Sequence, residues 1–129
     1  MNNFIKKYDG KYLLDAGAYV SREYAGFQNA MKRDLKAIAE EIGAELVSYS
    51  KGHYDQSAFF HRNGHYVYFH YSRIWERSTP DLTGASGLTC YCRTAADAKD
   101  YRGGSNNHCA YVDVKSYVNR LLDEEHRRV

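Results

Sequence analysis

All three cysteines of this chain lie close together in the sequence, beside a histidine. Cys90 and Cys92 are separated by one residue, and His108 directly precedes Cys109. On a β-strand alternate side chains share a face, so Cys90 and Cys92 are expected to point the same way. Thiolates and imidazole are preferred ligands of tetrahedral zinc. The cluster therefore predicts a closed structural zinc site formed by Cys90, Cys92, His108 and Cys109, with His70 as the alternative fourth ligand.

The same cysteines also fit a site without metal. Free cysteine is among the most buried residue types and packs as a small hydrophobic side chain. One residue between Cys90 and Cys92 is not the paired CxxC spacing that identifies zinc sites most clearly. Structural zinc and ordinary core thiols both remain open interpretations of these residues.

A second group of reactive and aromatic side chains lies around the dipeptide Asn63-Gly64. This dipeptide separates two alternating apolar runs and favours a two-residue type I′ turn, because both central residues need positive φ. The turn places Phe60 opposite Val67 and Ala58 opposite Phe69 on one face of a hairpin. The other face then carries hydroxyl, aromatic and imidazole side chains: Ser57, Phe59, His61, Tyr66, Tyr68 and His70.

This second face is typical of a recognition surface. Tyrosine gives a large contact area with a polar tip and is enriched in interfaces. We expect Tyr66, Tyr68, His70 and Trp75 to contact a partner. Exposed rings of this kind bind protein or stack on unpaired bases. Alternatively, the C-terminal helix covers the face as a second layer.

The histidines also allow a catalytic hypothesis. His61 or His70 would serve as general base, with Arg73 or Arg93 holding a phosphate and a second histidine as acid, in a metal-independent endoribonuclease. The chain has no Walker loop, no HExxH and no GxSxG motif. Because six histidines supply such groups by chance, a non-enzymatic function is the preferred interpretation.

A long helix is predicted to support the hairpin, from Ser21 to Ile42. Ser21 suits the N-cap, and Gly43 suits the C-terminal stop. Along the helix, apolar residues recur at spacings of three and four, which draws one buried stripe. The members of this stripe are Tyr24, Phe27, Met31, Leu35, Ile38 and Ile42.

Strands and a second helix complete the predicted fold. Strands are expected at Ala44–Ser50, Gln56–His61 and Leu88–Arg93, in addition to the strand after Gly64. A further short strand is expected at Lys11–Leu14. Long loops are expected at Arg73–Gly87 and Thr94–Asn107, and such loops are often functional.

The chain is predicted to end in an amphipathic helix with Asp113 as its N-cap. Its apolar positions are Val114, Tyr117, Val118, Leu121 and Leu122. Together the elements predict an α+β two-layer domain. A long N-terminal helix packs on an antiparallel sheet of about four strands, and a C-terminal helix follows.

Length and charge limit the functions. The chain has 129 residues, enough for one domain spanning residues 1–129 with a real core. Its net charge of +2 and pI of about 8.4 are too modest to indicate binding driven by phosphates. No apolar run approaches the roughly 20 residues that cross a bilayer. We expect a cytoplasmic protein without a membrane partner.

Four segments between about Ser21 and Leu122 form a recognisable pattern. They are Gly43-Ala44-Glu45-Leu46-Val47, Asn63-Gly64 with Tyr66-Val67-Tyr68-Phe69, Arg93-Thr94-Ala95, and Lys99-Asp100-Tyr101-Arg102-Gly103-Gly104-Ser105-Asn106. Together they resemble a group of small proteins carried on Gram-positive mobile elements. Mobile elements are where anti-CRISPR proteins are found, so the resemblance implies a host-interaction or defence-inhibitor role. The cysteines are not part of this pattern, and the resemblance gives the zinc hypothesis no support.

These observations predict a binding protein that inhibits a large bacterial effector. Its most specific form is an anti-CRISPR protein that acts on a type II CRISPR nuclease by protein–protein occlusion. The alternative is a small endoribonuclease or RNA-binding module that uses His61, His70 and Arg93.

Overall fold

The computed structural model describes residues 2–8, 22–52, 55–72, 82 and 90–126. Within these ranges the chain is α+β, with three α-helices and an antiparallel sheet of five strands. The helices are α1 (Asn2–Tyr8), α2 (Arg22–Glu41) and α3 (Val114–Leu121). The strands are β1 (Glu45–Lys51), β2 (Asp55–Arg62), β3 (His65–Ser72), β4 (Cys90–Ala95) and β5 (Asn107–Cys109).

Helix α2 confirms the long helix predicted from its apolar spacing. Phe27, Met31, Leu35 and Ile38 are buried along one stripe. The helix is followed by Gly43 at φ +68°, a conformation that glycine adopts without a steric penalty. The Ala44 N–H then donates to the Ala39 carbonyl oxygen at 2.8 Å, so the turn satisfies a carbonyl at the helix end.

The sheet has the strand order β1-β2-β3-β4-β5, and each strand pairs with its neighbours in sequence. The hairpin between β2 and β3 has the predicted register, with Phe60 opposite Val67 and Ala58 opposite Phe69. Asn63 and Gly64 have φ values of 52° and 81°, which confirms that both turn residues adopt positive φ.

Helices α2 and α3 lie on the same side of the sheet. Val118 and Leu121 of α3 join Met31 of α2 in one buried cluster with Phe60 and Phe69 of the sheet. The alternative in which the C-terminal helix covers the opposite face is therefore wrong. We call the helix-covered side of the sheet the core face and the other side the open face.

Other differences concern short elements. Helix α1 was not predicted. Strand β5 was not predicted either; it begins at Asn107, the last residue of the expected loop Thr94–Asn107, so the sheet has five strands instead of about four. A 3₁₀ turn at Tyr111–Asp113 precedes α3, and Asp113 occupies the N-cap without a capping side-chain hydrogen bond. The predicted strand at Lys11–Leu14 falls outside the described residues, as does the predicted loop at Arg73–Gly87 except for Leu82. In the described part of the chain, no helix combines the length and apolarity that a bilayer crossing requires.

Candidate functional site

The open face carries a row of side chains that crosses four strands. The register places Ser57 of β2 opposite His70 of β3, His70 opposite Tyr91 of β4, and Tyr91 opposite His108 of β5. The strands that hold this row are pinned on their other side by the buried core, so the backbone fixes the spacing of the side chains. The row is therefore built on rigid elements and not on a loop.

The rings of this row contact each other along the sheet. The His70 and Tyr91 ring centroids are 4.9 Å apart, and those of Tyr91 and His108 are 5.6 Å apart. His70 and Tyr91 are partly buried, whereas His108 is exposed. The row thus combines fixed ring positions with access from solvent.

His70 is paired with a carboxylate. Its Nε2 lies 3.3 Å from Asp55 Oδ2, and the side chains are 18% and 50% exposed respectively. A carboxylate on one ring nitrogen orients the imidazole. The pair can bind a polar group or move a proton at the other ring nitrogen.

Packed aromatic rings cover the centre of the open face. The Phe59 and Tyr68 rings pack 5.0 Å apart, and Tyr101 lies edge-on against both of them. Tyr68 is only 6% exposed, so the prediction that Tyr68 contacts a partner directly is corrected: its ring supports Tyr101 and Tyr91 instead. Burial, with the nearby Tyr91, raises the pKa of Tyr68 to about 12.

The Tyr68 hydroxyl is part of a polar chain within the face. It makes hydrogen bonds to the hydroxyls of Ser57 and Tyr91. Burial also raises the pKa of Tyr91, against the opposing effect of the Arg93 charge. Both phenols are therefore neutral donors and acceptors at physiological pH.

Arg93 lies on this face, opposite Tyr68 in the register, but the loop that follows β4 covers it. Its guanidinium carbon is 4.4 Å from the centre of the Tyr68 ring, and its Nη2 donates to the Asp100 carbonyl oxygen at 2.9 Å. Arg93 is buried, so it cannot hold a substrate phosphate in this arrangement. Its contacts instead connect the sheet to the loop that follows β4.

The predicted catalytic trio is not brought together. His61 pairs with Tyr66 in the register, four residues along β3 from His70, which corresponds to about 13 Å along the strand. His61 also accepts a hydrogen bond from the Gly64 N–H at 3.2 Å and contacts the Tyr66 ring at 4.6 Å. His61 thus stabilises the turn at one end of the hairpin.

The cysteines all lie on the core face. Cys90 is directly opposite Cys109 in the register, and the Cys92 and Cys109 thiols share a hydrogen bond. That bond, followed by burial, raises the pKa of Cys92, whereas accepting it lowers the pKa of Cys109. All three thiols are buried and free. These contacts match the interpretation of the cysteines as core residues.

The predicted fourth zinc ligand is on the wrong side of the sheet. His108 is opposite Tyr91, and His70 is also opposite Tyr91, so both imidazoles belong to the open face. Side chains on opposite faces of one sheet cannot share a tetrahedral ion. Within the described ranges, no group of three or more His, Cys, Asp or Glu side chains is arranged to hold a metal ion. The residues therefore do not fit the predicted four-ligand site.

The loop after β4 is organised by Asp100. Asp100 Oδ1 accepts hydrogen bonds from the N–H groups of Arg102 and Gly103 at 3.1 and 2.7 Å, and Oδ2 accepts one from Ala96 at 2.8 Å. Burial alone would raise the pKa of Asp100, but these N–H groups and the Arg93 charge hold it below its usual value. Asp100 is therefore ionised at physiological pH and can accept all three hydrogen bonds.

The C-terminal segment closes over this loop. His126 Nδ1 lies 3.1 Å from Thr94 Oγ1, and His126 Nε2 lies 3.5 Å from Asp100 Oδ2. The imidazole is thus held between the end of β4 and the carboxylate of the loop. The tail contributes to the position of the loop through these contacts.

Sequence reasoning found some of these residues and missed others. Tyr66 and His70 were predicted on the open face and are partly exposed there, whereas Trp75 lies outside the described residues. Asp55 directly precedes the predicted strand Gln56–His61, and no role is predicted for Asp55 or Tyr91 from the sequence. Extending the alternation of β3 into the predicted strand Leu88–Arg93 would have placed Tyr91 beside His70.

Comparison of the chain with protein-family models, curated proteins and solved structures gave no match.

Proposed function

We propose that this chain is a binding protein that inhibits a bacterial defence effector, most specifically a type II CRISPR nuclease, by occluding it through protein–protein contact. One observation carries the proposal: His70, Tyr91 and His108 form a solvent-accessible row of rings across three strands of the open face. Mobile-element proteins, which the chain resembles, provide the context for a defence effector as the partner.

The chemistry of the row suits a protein interface. Rings that already contact each other lose little side-chain freedom on binding, so more of their contact energy appears as affinity. Tyr66, at the other end of the hairpin, extends the same surface. The contacts that we propose are therefore Tyr66, His70, Tyr91 and His108.

Inhibition of DNA cleavage tests this function. Type II nucleases with their guide RNAs are incubated with purified protein, and cleavage of a matched DNA target is measured. We expect inhibition that saturates near one equivalent for at least one nuclease. We also expect the paired substitution His70→Ala/Tyr91→Ala to weaken it by about tenfold or more.

The matched control for this experiment lies on the helical layer. Arg33 and Lys36 are exposed on α2, and their replacement by alanine should leave inhibition unchanged. If no nuclease is inhibited by the wild-type protein, or if the His70→Ala/Tyr91→Ala variant inhibits as well as wild type, the proposed function is wrong.

A second candidate function, a small endoribonuclease, is favoured by the pairing of His70 with Asp55. In this version His70 is the general base that removes the proton from a ribose 2′-hydroxyl, and Asp55 keeps the ring oriented. His108 would protonate the leaving oxygen. It replaces His61 of the original prediction, because His61 does not lie beside His70. Arg93 is buried and takes no part.

Cleavage of labelled RNA separates the candidates. A single-stranded RNA and its 2′-deoxy counterpart are incubated with wild type and with the His70→Ala and His108→Ala variants. An enzyme would shorten only the RNA, and either substitution would abolish the products. Inhibition of a nuclease by the His70→Ala variant without any shortened RNA would exclude the catalytic version.

A further inference from the structure

The loop between β4 and β5 holds one aromatic side chain in a fixed and exposed position. The Tyr101 ring lies edge-on to Phe59 and Tyr68, with centroid distances of 5.2 and 5.7 Å. Yet Tyr101 is 57% exposed. Its inner edge is therefore seated on the sheet, while the rest of the ring is available to a partner.

The backbone around Tyr101 is constrained on both sides. Asp100 accepts three backbone hydrogen bonds within this loop, as described above, and Arg93 donates to the Asp100 carbonyl oxygen. Gly104 has φ +78°, and a Cβ there would lie 2.5 Å from the Thr94 carbonyl oxygen. The two glycines of the segment Lys99–Asn106 thus permit a tight turn that fixes Tyr101.

Two cations lie next to this ring. Lys99 and Arg102 are exposed, and together with Tyr101 they line a surface depression that also includes Ala96, Asp97 and Asp100. Asp97 is the exposed acid of this group, but its Oδ1 already accepts a hydrogen bond from the Lys99 N–H at 2.8 Å. The loop therefore presents an aromatic ring between two cationic side chains.

We propose that the loop 96–103 is an anchor of the partner-binding surface, with Tyr101 inserted into the partner and Lys99 and Arg102 on an acidic protein surface around it. This inference rests on the proposed function, because it assumes a protein partner. Tyrosine and arginine are the residue types that most often dominate the energy of such interfaces. A ring fixed before binding also lowers the entropic cost of association.

The charge pattern favours an acidic protein over a nucleic acid. Binding by phosphate contacts needs several cations along a path, whereas this surface adds only Lys99 and Arg102 to rings and to the carboxylate of Asp55. Arg93 is buried and is not available to a phosphate. The channel that holds a guide heteroduplex in a type II nuclease is itself positively charged. The exposed charges of the loop are two cations, Lys99 and Arg102, and one carboxylate, Asp97. Lys99 and Arg102 are therefore expected to dock outside that channel, on an acidic surface, and to block a domain movement.

Binding kinetics with a purified type II nuclease–guide RNA complex test the inference. We expect Tyr101→Ala to weaken affinity by about tenfold or more, and Tyr101→Phe to retain most of it. The pair Lys99→Glu/Arg102→Glu should slow association by about tenfold and make the remaining rate less sensitive to salt. The pair Arg33→Glu/Lys36→Glu on α2 makes the same charge change on the helical layer and should change the rate by less than about twofold.

Each result distinguishes this inference from the proposed function. If wild type binds and inhibits a nuclease but the loop variants match it, the inference is wrong and the proposed function stands. If wild type binds no nuclease, both are wrong. Tight binding of a 20-nucleotide oligouridine that is lost in Tyr101→Ala would identify RNA as the occupant and overturn the assignment to an acidic protein. Thermal unfolding of every variant checks that the fold is retained.

Discussion

The Tyr111 hydroxyl donates a hydrogen bond of 2.5 Å to Asp34 Oδ2, across 77 residues of sequence. Both side chains are buried. Tyr111 belongs to the 3₁₀ turn before α3, and Asp34 belongs to α2. The bond therefore fixes the position of the C-terminal segment against the long helix, on the side of the sheet away from the open face.

Removing this bond should destabilise the fold without affecting the open face. We expect Tyr111→Phe to lower the free energy of unfolding by about 1–3 kcal/mol, because the buried Asp34 loses a hydrogen-bond donor. Urea unfolding measures this value. Tyr117→Phe, on the same C-terminal segment, is the control and should be close to neutral. Equal stability of wild type and Tyr111→Phe would contradict the importance of the bond.

Arg62 should be the most important side chain for holding the end of the hairpin. Its guanidinium donates to the Ile42 carbonyl oxygen at 2.8 Å, to Asn119 at 2.7 and 2.9 Å, and to Asp123 at 3.0 Å. A lysine cannot reproduce this set of directed bonds. We expect Arg62→Lys to cost about 1–3 kcal/mol in urea unfolding.

The control for Arg62 is the exposed ion pair between Lys115 and Glu41 at 2.9 Å. Because solvent screens exposed pairs, Lys115→Ala should change stability little. A larger effect for Lys115→Ala than for Arg62→Lys would show that the hairpin end is held in another way.

Stability should fall at alkaline pH because of Tyr68. Its pKa is about 12 in the folded protein, against 10.0 for the ordinary side chain. Between these values the unfolded chain has released the proton while the folded chain retains it, so the unfolded state is favoured as pH rises. We expect the free energy of unfolding to decrease from about pH 10 to about pH 12, and to decrease less in Tyr68→Phe. Identical pH profiles for the two proteins would contradict this origin of the effect.

The thiols should behave as core residues. Because Cys90, Cys92 and Cys109 are buried, we expect a disulfide reagent to label them slowly in the native protein and rapidly after unfolding. Elemental analysis should give less than about 0.2 equivalents of zinc in protein that is fully folded. One equivalent of zinc, lost together with the fold in Cys92→Ser, would instead show that the cysteines hold a metal with ligands other than His108.

The elements with a clear period were predictable. The spacing of Phe27, Met31 and Leu35 indicated α2, and Asn63-Gly64 indicated the turn and the register of the central hairpin. Both signals are local, because a helix face and a two-residue turn are determined by neighbouring residues.

The remaining features depend on contacts between distant residues. Strand β5 has only three residues and pairs with β4 across a loop of eleven residues, 96–106, so its sequence carries no periodic signal. The sequence also did not determine the side of the sheet on which α3 packs, since an apolar stripe specifies that a face is buried but not what covers it. Only the register of β5 against β4 shows that His108 and the thiols lie on opposite faces of the sheet.

The role of Asp100 and Tyr101 was also not visible in the sequence. The segment lies in the predicted loop Thr94–Asn107, and glycine and asparagine there indicate only a turn. Its carboxylate accepts hydrogen bonds from residues on both sides of it, and its tyrosine packs on Phe59, which lies 42 residues earlier. These contacts fix the position of the loop on the open face.

Hydroxyl-radical footprinting of the protein in complex with a type II nuclease tests the central claim most directly. Oxidation of each side chain is measured by mass spectrometry with and without the nuclease. We predict protection of Tyr66, His70, Tyr91 and Tyr101 on the open face, with unchanged oxidation of Tyr8 and Tyr117 on the helical layer. Protection confined to Tyr8 and Tyr117, or no protection at all in a complex that forms, would contradict the assignment of the open face as the partner-binding surface.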